Sequence, residues 1–307
     1  MKIKKPYFFD DINFFSLILY PVSLITFLIN NLKKLYSKRK FKIKIICVGN
    51  IYIGGTGKTP MVLKINSLLK KRFNTVLVKK KYTNQVDEQN ILKKYGNLIC
   101  LNHRENALRI AERKKYDLAI LDDGLQDKSI YYNISIACFN SSETIGNGFL
   151  LPAGPLRESI NELMNYDAIF LNGEKRNNKF SKKIKRINKK IKIFNAKYFP
   201  INLKSFNLKK NYLFFCGLGS PNEFERTLKK YKFKIKEKYI FPDHYDFANN
   251  EIKNLKKIAK EKKLEIITTE KDYLRLNNSS KVDIKYLKIE LKIQNKQKFL
   301  NFLNERL

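Results

Sequence analysis

The chain has 307 residues, 43% of them hydrophobic, which suffices for two ordinary α/β domains and excludes a disordered protein. Its net charge of +35 favours a polyanion or an anionic lipid surface as partner, but the lysines are spread along solvated faces, so the charge alone does not establish nucleic-acid binding. Four widely spaced cysteines and only two histidines exclude a disulfide framework and a His-rich metal centre.

An uncharged apolar stretch, FFSLILYPVSLITFLI (14–29), lies near the start of the chain. As a helix it would be about 24 Å long, short of the ~30 Å hydrocarbon core, and Pro21 predicts a kink or break. Asp10 and Asp11 argue against a cleaved signal peptide. Because the stretch is apolar on all sides and a basic cluster (33–44) follows it, we predict attachment to an anionic cytoplasmic membrane leaflet, peripherally or through this N-terminal anchor. The alternative is a buried core helix.

From residue 43 onward, short apolar runs alternate with amphipathic stretches, which predicts crossover units and a parallel sheet. We predict an α/β fold in which a larger parallel-sheet domain is followed by a smaller α/β domain. The predicted boundaries are 1–40 for the membrane segment, 41–199 for the larger domain and 200–307 for the smaller one.

The stretch VGNIYIGGTGKTP (48–60) follows a predicted strand and opens a predicted helix. A strand, a glycine-rich turn and then Gly-Lys-Thr is the arrangement of a P-loop, in which backbone N–H groups surround phosphate oxygens. Lys58 would reach the β- and γ-phosphates, and the Thr59 hydroxyl would bind Mg²⁺. Tyr52 replaces the first glycine of the usual motif. The predicted nucleotide-binding residues of the loop are Gly54, Gly55, Thr56, Gly57, Lys58 and Thr59.

A P-loop also needs a carboxylate near its metal, commonly at the end of a neighbouring strand. YDLAILDDG supplies Asp122 and Asp123 at such a position, and the sequence leaves open which of them binds the metal. No guanine-reading Asn/Thr-Lys-x-Asp sequence is present, since TTEKD (268–272) has the wrong spacing. ATP with Mg²⁺ is therefore the predicted cofactor.

Further distinctive stretches accompany the P-loop and the paired aspartates. In chain order the set is VGNIYIGGTGKTP, DEQ (87–89), DDGLQ (122–126), GNGFLLPAGPLRE (146–158), FCGLGSPNEF (215–224), PDHYDF (242–247) and TEKD (269–272). Together, and in this order, these stretches resemble the tetraacyldisaccharide 4′-kinase (lipid A 4′-kinase) family. The resemblance also accounts for the altered P-loop, and it implies transfer of the ATP γ-phosphate to the 4′-hydroxyl of a tetraacylated glucosamine disaccharide 1-phosphate. Because a substrate with four acyl chains resides in a bilayer, the resemblance implies an enzyme at the anionic lipid surface of the bacterial inner membrane, on its cytoplasmic face.

The resemblance implies a catalytic pair in addition to Lys58. Asp87, in VDEQ, matches the family's base, and His244, in PDHYDF, matches its histidine partner. From the residues alone, Asp87 is equally well explained as a helix N-cap, and His244 as a structural loop residue.

The resemblance also extends the metal and phosphate sites. Glu158 is implied beside Thr59 and one of Asp122 and Asp123 around Mg²⁺. Arg157 would clamp phosphate bidentately, although from the residues alone a surface arginine is an equal explanation.

The chain departs from the family near the substrate side of the site. KKKYTN (79–84) stands where the family has Ser-Arg-Gly-Tyr-Gly, the segment from there to Asp87 is shorter, and Asp127 replaces a common histidine.

Two alternatives come from other functional classes. A partitioning ATPase or metallochaperone GTPase typically has a lysine where this chain has Ile53. A nucleic-acid-binding protein would interleave aromatic and basic residues on one sheet face, which the sequence does not show, and we expect no nucleic-acid partner.

Overall fold

The computed structural model describes residues 6–82, 86–174, 176–218, 221–243 and 245–307. His244 lies outside the described residues, as do Thr83 and Asn84 of the KKKYTN stretch. The helices are α1 (Phe14–Leu32), α2 (Lys58–Leu69), α3 (Val86–Tyr95), α4 (Arg104–Arg113), α5 (Asn178–Ile187), α6 (Pro221–Lys230), α7 (Asn249–Glu261), α8 (Glu270–Arg275), α9 (Asn278–Lys281) and α10 (Lys296–Asn304). The strands are β1 (Lys44–Gly49), β2 (Thr75–Lys80), β3 (Leu98–Leu101), β4 (Leu118–Asp122), β5 (Ile134–Asn140), β6 (Ala168–Asn172), β7 (Lys192–Pro200), β8 (Asn211–Cys216), β9 (Lys234–Ile240), β10 (Glu265–Thr269), β11 (Ile284–Leu287) and β12 (Ile289–Ile293).

The larger sheet has eight strands in the order β12-β7-β6-β5-β1-β4-β2-β3. β1 pairs in parallel with β4 on one side and β5 on the other, and the chain continues outward in both directions from it. All seven residues of β5 are buried, as expected for a strand covered on both faces. The carboxyl end of β1 is therefore the point where strand order reverses, the usual place for a ligand in an open α/β sheet.

The smaller sheet contains four parallel strands in the order β11-β10-β8-β9. Each face of β8 supports its own apolar cluster, since Phe214 packs with Phe224 and Leu228 while Phe215 packs with Ile252 and Leu255. The predicted fold class, a parallel-sheet domain with a second, smaller α/β domain and an apolar N-terminal helix, is confirmed.

The chain divides into two compact units whose boundaries differ from the predicted contiguous domains. The larger unit contains the described residues up to Tyr82 together with Leu92–Tyr198 and Leu291–Leu307, and the smaller one contains the described part of Thr83–Ile91 with Phe199–Glu290. The C-terminal residues belong to the larger unit because β12 lies beside β7 and Phe299 of α10 packs against Phe170 and Phe194. A terminal strand and helix have the same sequence pattern whichever sheet they join.

Helix α1 begins with a capping box between Asn13 and Ser16 and continues through Pro21 without a break. The segment Phe14–Leu35 is long and apolar enough to cross a membrane, and only 11% of its most apolar window is buried. A core helix would be mostly buried, so the exposure argues against that alternative. The helix is not apolar on all sides, however, because its buried residues are Ser16 and Ser23.

Candidate active site

The loop between β1 and α2 has the backbone conformation of a phosphate-binding turn. Gly57 has φ +82° and Gly54 has φ +120°, a region that favours glycine. A Cβ atom at Gly57 would also collide with the Tyr198 hydroxyl and the Asn172 amide. Only glycine fits position 57, immediately before Lys58.

Backbone donors are available at the start of α2. Within the described residues, the N–H groups of Gly57, Lys58 and Thr59 have no acceptor, and the first helical hydrogen bond is Met61 N–H to the Gly57 carbonyl, at 3.1 Å. Unpaired N–H groups and the positive end of the helix dipole form a binding site for phosphate oxygens.

Asn50 holds the loop together from its β1 end. Its side-chain amide donates to the Thr56 hydroxyl (2.9 Å) and to the Tyr52 carbonyl, and its side-chain oxygen accepts from Arg157 Nη1 (3.0 Å). Tyr52, which replaces the usual glycine, is 2% exposed and packs in the core of the larger unit. The altered position is therefore explained by core packing.

Asp123 lies among cations at the end of β4. Arg157 Nη1 contacts its two carboxylate oxygens at 2.8 and 3.1 Å. Burial by itself would raise the pKa of Asp123, but the charges of Lys58 and Arg157 and the arginine hydrogen bond lower it below the ordinary value. Lys58 forms no ion pair within the described part of the chain, so its ammonium group is available to phosphate.

Asp122 connects the loop helix to strand β2. Its Oδ2 accepts from the Thr59 hydroxyl (3.1 Å) and from Lys79 Nζ (2.8 Å), and Lys79 is its direct neighbour in the β2–β4 register. Lys79 and Asp122 are 2% and 1% exposed. The Asp122 Oδ1 atom is buried and has no hydrogen-bond partner among the residues that the structure describes.

The residues around Thr59 fit a magnesium ion. No group of three or more His, Cys, Asp or Glu side chains suitable for a metal occurs in the described part of the chain. Mg²⁺ is typically held by one or two protein oxygens, with phosphate and water oxygens completing an octahedron. The Thr59 hydroxyl and the unpartnered Asp122 Oδ1 provide oxygen donors of that kind.

Glu158 is held by a different set of side chains. Lys128 Nζ contacts Oε1 at 2.7 Å, while the Tyr166 hydroxyl and the Gln126 amide donate to Oε2 at 2.8 and 3.0 Å. Both carboxylate oxygens thus have protein partners, and Glu158 forms no hydrogen bond with Thr59 or Asp122 in the described part of the chain. Its role as a metal ligand stays a prediction.

Asp87 lies in the smaller unit, at the second residue of α3. Its Oδ2 is 2.6 Å from Arg275 Nη2 and 3.3 Å from Lys271 Nζ, and its side chain is 2% exposed. Arg275 Nη1 also contacts Asp272, the aspartate of TEKD, at 2.9 Å. The carboxylate is therefore fixed by two cations that are distant in sequence.

Lys79, Lys128 and Arg275 are cations that our sequence reasoning missed. The clearest signal was Lys79, because a lysine that directly follows the apolar run of a buried strand such as β2 needs a counter-charge. No local pattern identifies Asp122 as its partner, 43 positions away.

Comparison with known proteins identifies the family. The family profile described as tetraacyldisaccharide-1-P 4′-kinase matches residues 15–307. The tetraacyldisaccharide 4′-kinase of Pelagibacter ubique (strain HTCC1062) is 46% identical over 310 residues, covering 99% of this chain and 98% of that protein. The protein of the same name from Rickettsia akari (strain Hartford) is 33% identical over 326 residues, covering 100% and 97%.

A crystal structure of LpxK from Aquifex aeolicus in complex with ATP is similar in fold, with a TM-score of 0.74 and 22% sequence identity over 95% of this chain and 99% of that one. The sequence relatives favour the kinase interpretation over the partitioning ATPase and metallochaperone alternatives. The chain therefore belongs to the tetraacyldisaccharide 4′-kinase family and is an ATP-dependent kinase, as its motifs predicted.

Proposed function

We propose that this chain transfers the γ-phosphate of ATP to the 4′-hydroxyl of a tetraacyldisaccharide 1-phosphate, with the β1–α2 loop as the nucleotide site. The observation that carries the proposal is the loop itself: Gly57 in a glycine-only conformation, unpaired N–H groups at the start of α2, and a lysine without an ion pair among the described residues. In this site Lys58 and the backbone of residues 54–59, including Gly55, bind phosphate. Arg157 keeps Asp123 and Asn50 in place and supplies a second cation.

Mg²⁺ belongs, in this proposal, beside the Thr59 hydroxyl and Asp122. When bound, the ion neutralises charge that develops on the transferring phosphoryl group. Asp123 contributes negative charge next to this position, and the pairing of Glu158 with Lys128 and Tyr166 favours a supporting role for that residue.

For the proton of the attacking hydroxyl, we assign the acceptor to Asp87 together with His244. Arg275 and Lys271 fix the Asp87 carboxylate in one orientation, which a proton-transferring group requires. A carboxylate paired with two cations is a weak base by itself, so the proposal needs the imidazole to share or accept the proton. Phosphoryl transfer then forms the new P–O bond as the bond to ADP breaks.

Helix α1 attaches the enzyme to the cytoplasmic membrane surface in this proposal. Its large apolar side chains are exposed, for example Phe14, Ile25 and Leu28, and the acyl chains of the substrate lie in the same bilayer. Lysines after the helix add attraction to anionic lipids.

The experiment that tests the nucleotide site is phosphorylation of lipid A disaccharide 1-phosphate with γ-labelled ATP by the Lys58→Ala variant. We expect label transfer to fall by orders of magnitude with little change in melting temperature, because a charge-assisted phosphate contact is lost. Lys70→Ala, an exposed lysine at the other end of α2, is the matched control and should behave like wild type. Near-normal transfer by Lys58→Ala would refute the site.

The Asp87–His244 pair is tested by Asp87→Asn, His244→Ala and the double variant. If the two residues act as a unit, each single change lowers kcat strongly and the double variant is little worse than the poorer single one. An active Asp87→Asn enzyme would exclude Asp87 from the chemistry and leave it a structural ion-pair partner of Arg275.

A further inference from the structure

Helix α1 has a polar stripe that faces the protein and an apolar face that is exposed, which is the reverse of a helix on the surface of a soluble protein. Ser16 and Ser23 are buried, and Leu19, Thr26 and Asn30 are half-buried. These positions recur at intervals of three and four residues, so they form one stripe along the helix. The stripe that faces the larger unit is mostly polar, while the apolar side chains point outward.

Two side chains of this stripe hydrogen-bond to one stretch of backbone, residues 149–157, which we call the bridging segment. The Ser23 hydroxyl donates to the Leu150 carbonyl (2.8 Å) and accepts from the Ala153 N–H (3.1 Å). In the last turn of α1, the Asn30 amide donates to the Arg157 carbonyl at 2.8 Å. Among the described residues, the Ala153 N–H and the Arg157 carbonyl have no other hydrogen-bond partner, whereas the Leu150 carbonyl also accepts from the Gly154 N–H at 2.9 Å.

The opposite edge of the bridging segment is joined to the residues that lead into the phosphate-binding loop. Arg157 N–H donates to the Ile51 carbonyl at 2.7 Å, and Ile53 N–H donates to the Pro155 carbonyl at 2.9 Å. Tyr52 and Leu156 form a β-bridge between these two contacts. The segment is thus a single layer of backbone with the α1 stripe on one side and the entrance of the loop on the other.

From this arrangement we infer that Ser23 and Asn30 are positioning residues for the nucleotide site, acting through the bridging segment. Asn30 fixes the backbone of Arg157, whose side chain contacts Asn50 and Asp123, and Asn50 in turn bonds to Thr56 in the loop. Helix α1 therefore has two separable roles, membrane attachment by its apolar face and alignment of the ATP site by its polar stripe. The inference rests on the proposed nucleotide site.

The test compares Asn30→Leu, which removes the donor at nearly constant volume, with Leu28→Asn, which places the amide on the exposed face. The full-length proteins are assayed in detergent micelles for ATP Kd and kcat, and separately for sedimentation with anionic phospholipid vesicles. We expect Asn30→Leu to raise the ATP Kd about three- to tenfold, the effect of one lost hydrogen bond, with vesicle binding unchanged. Leu28→Asn should weaken vesicle binding and leave the ATP Kd unchanged.

Ser23 provides a second, independent pair of variants. Ser23→Ala leaves the Ala153 N–H without its partner and should raise the ATP Kd about as much as Asn30→Leu, whereas Ser23→Thr keeps the hydroxyl and should restore affinity. A purely structural role would lower the melting temperature and the active fraction but not the ATP Kd of the folded protein. An unchanged ATP Kd in both Asn30→Leu and Ser23→Ala would overturn the inference.

The Lys58→Ala variant separates this inference from the proposed function. If Lys58→Ala loses ATP binding while Asn30→Leu and Ser23→Ala retain it, only the positioning role fails. If Lys58→Ala binds ATP normally, the nucleotide site itself is wrong and the positioning role falls with it.

Discussion

Two aspartates that follow parallel strands, one in each unit, have opposite electrostatic behaviour. Asp123 follows β4 and Asp272 lies in the first turn after β10, and each contacts an arginine, at 2.8 and 2.9 Å. The side chain of Asp123 is 17% exposed, and the cations around it lower its pKa. The side chain of Asp272 is fully buried, and burial raises its pKa despite Arg275 and its hydrogen bonds.

The difference indicates that the surroundings of Asp123, unlike those of Asp272, are arranged to bind an anionic ligand. Lys58 and Arg157 both lower the pKa of Asp123, and Lys58 forms no ion pair among the described residues, so positive charge remains for phosphate. Around Asp272, the Thr269 hydroxyl and the Gly217 N–H both donate to Oδ2, so protein groups satisfy this carboxylate. We therefore interpret the β4 end as a ligand site and the β10 end as the support that fixes Arg275 on Asp87.

The largest expected effect comes from removing the cation of the buried cluster. Arg275→Met leaves Asp87 and Asp272 buried without their shared partner, which should lower the unfolding free energy by about 3–5 kcal/mol. Hydrogen exchange of the β8 amides measures this loss in the smaller unit. The control Arg226→Met, an exposed arginine on α6, should change stability by about 0.5 kcal/mol or less. Equal effects of the two variants would contradict the structural role.

Asp122→Asn tests the proposed metal position with an isosteric change. The substitution replaces one carboxylate oxygen with an amide nitrogen, either Oδ1 or the Oδ2 that accepts from Thr59. The Mg²⁺ concentration needed for half-maximal activity should rise about 10- to 100-fold. Asp117→Asn, immediately before the opposite end of β4, replaces the charged acceptor of the Asn74 N–H with a neutral amide and should lower stability slightly without changing the Mg²⁺ requirement. An equal rise in the Mg²⁺ requirement of both variants would argue against a specific metal site at Asp122.

Arg157→Met should be milder for stability than Arg275→Met. Asp123 is partly exposed and keeps the charge of Lys58, so the expected loss is about 1–2 kcal/mol, while the ATP KM rises. Denaturant titration and initial rates on the same preparation provide both values. A stability loss as large as that of Arg275→Met would remove the distinction between the two aspartates.

The smallest effect is a difference in the pH dependence of stability. Because the folded-state pKa of Asp123 is lowered, its ionised form stabilises the protein above about pH 4, and this contribution is lost as pH falls through the folded pKa. Asp272 has a raised folded pKa, so the wild type loses stability as pH rises from about 4 through that value.

The two asparagine variants should therefore diverge from wild type in opposite directions. In denaturation between pH 3.5 and 8, the deficit of Asp123→Asn should grow with pH, whereas Asp272→Asn should gain on wild type as pH rises. Asp11→Asn, an exposed aspartate, serves as the control. Parallel curves for the two variants would show that the two environments do not differ.

The sequence predicted the central strands and the phosphate loop because both are local patterns. The apolar runs of β1 and β4 and the Gly-Lys-Thr turn carry their own period and spacing, and the structure places them as expected. From the sequence we did not identify β3, because a four-residue strand carries little periodic signal. We assigned residues 291–307 to the smaller domain, whereas in the structure they cluster with the larger unit. We also described α1 as apolar on all sides, although its few polar residues align on one face.

What the sequence determined by itself is the chemistry available: a lysine and a threonine after a glycine turn, paired aspartates after an apolar strand, and an uncharged helix near the start of the chain. What only the tertiary structure decided is which charged side chains already have hydrogen-bond or ion-pair partners within the protein. Glu158 is taken up by Lys128 and Tyr166, Asp122 is shared between Thr59 and Lys79, and Asp87 is held by Arg275. The physical reason is that an ion pair or hydrogen bond depends on distance in space, and partners 43 or 188 positions apart leave no joint pattern in the chain.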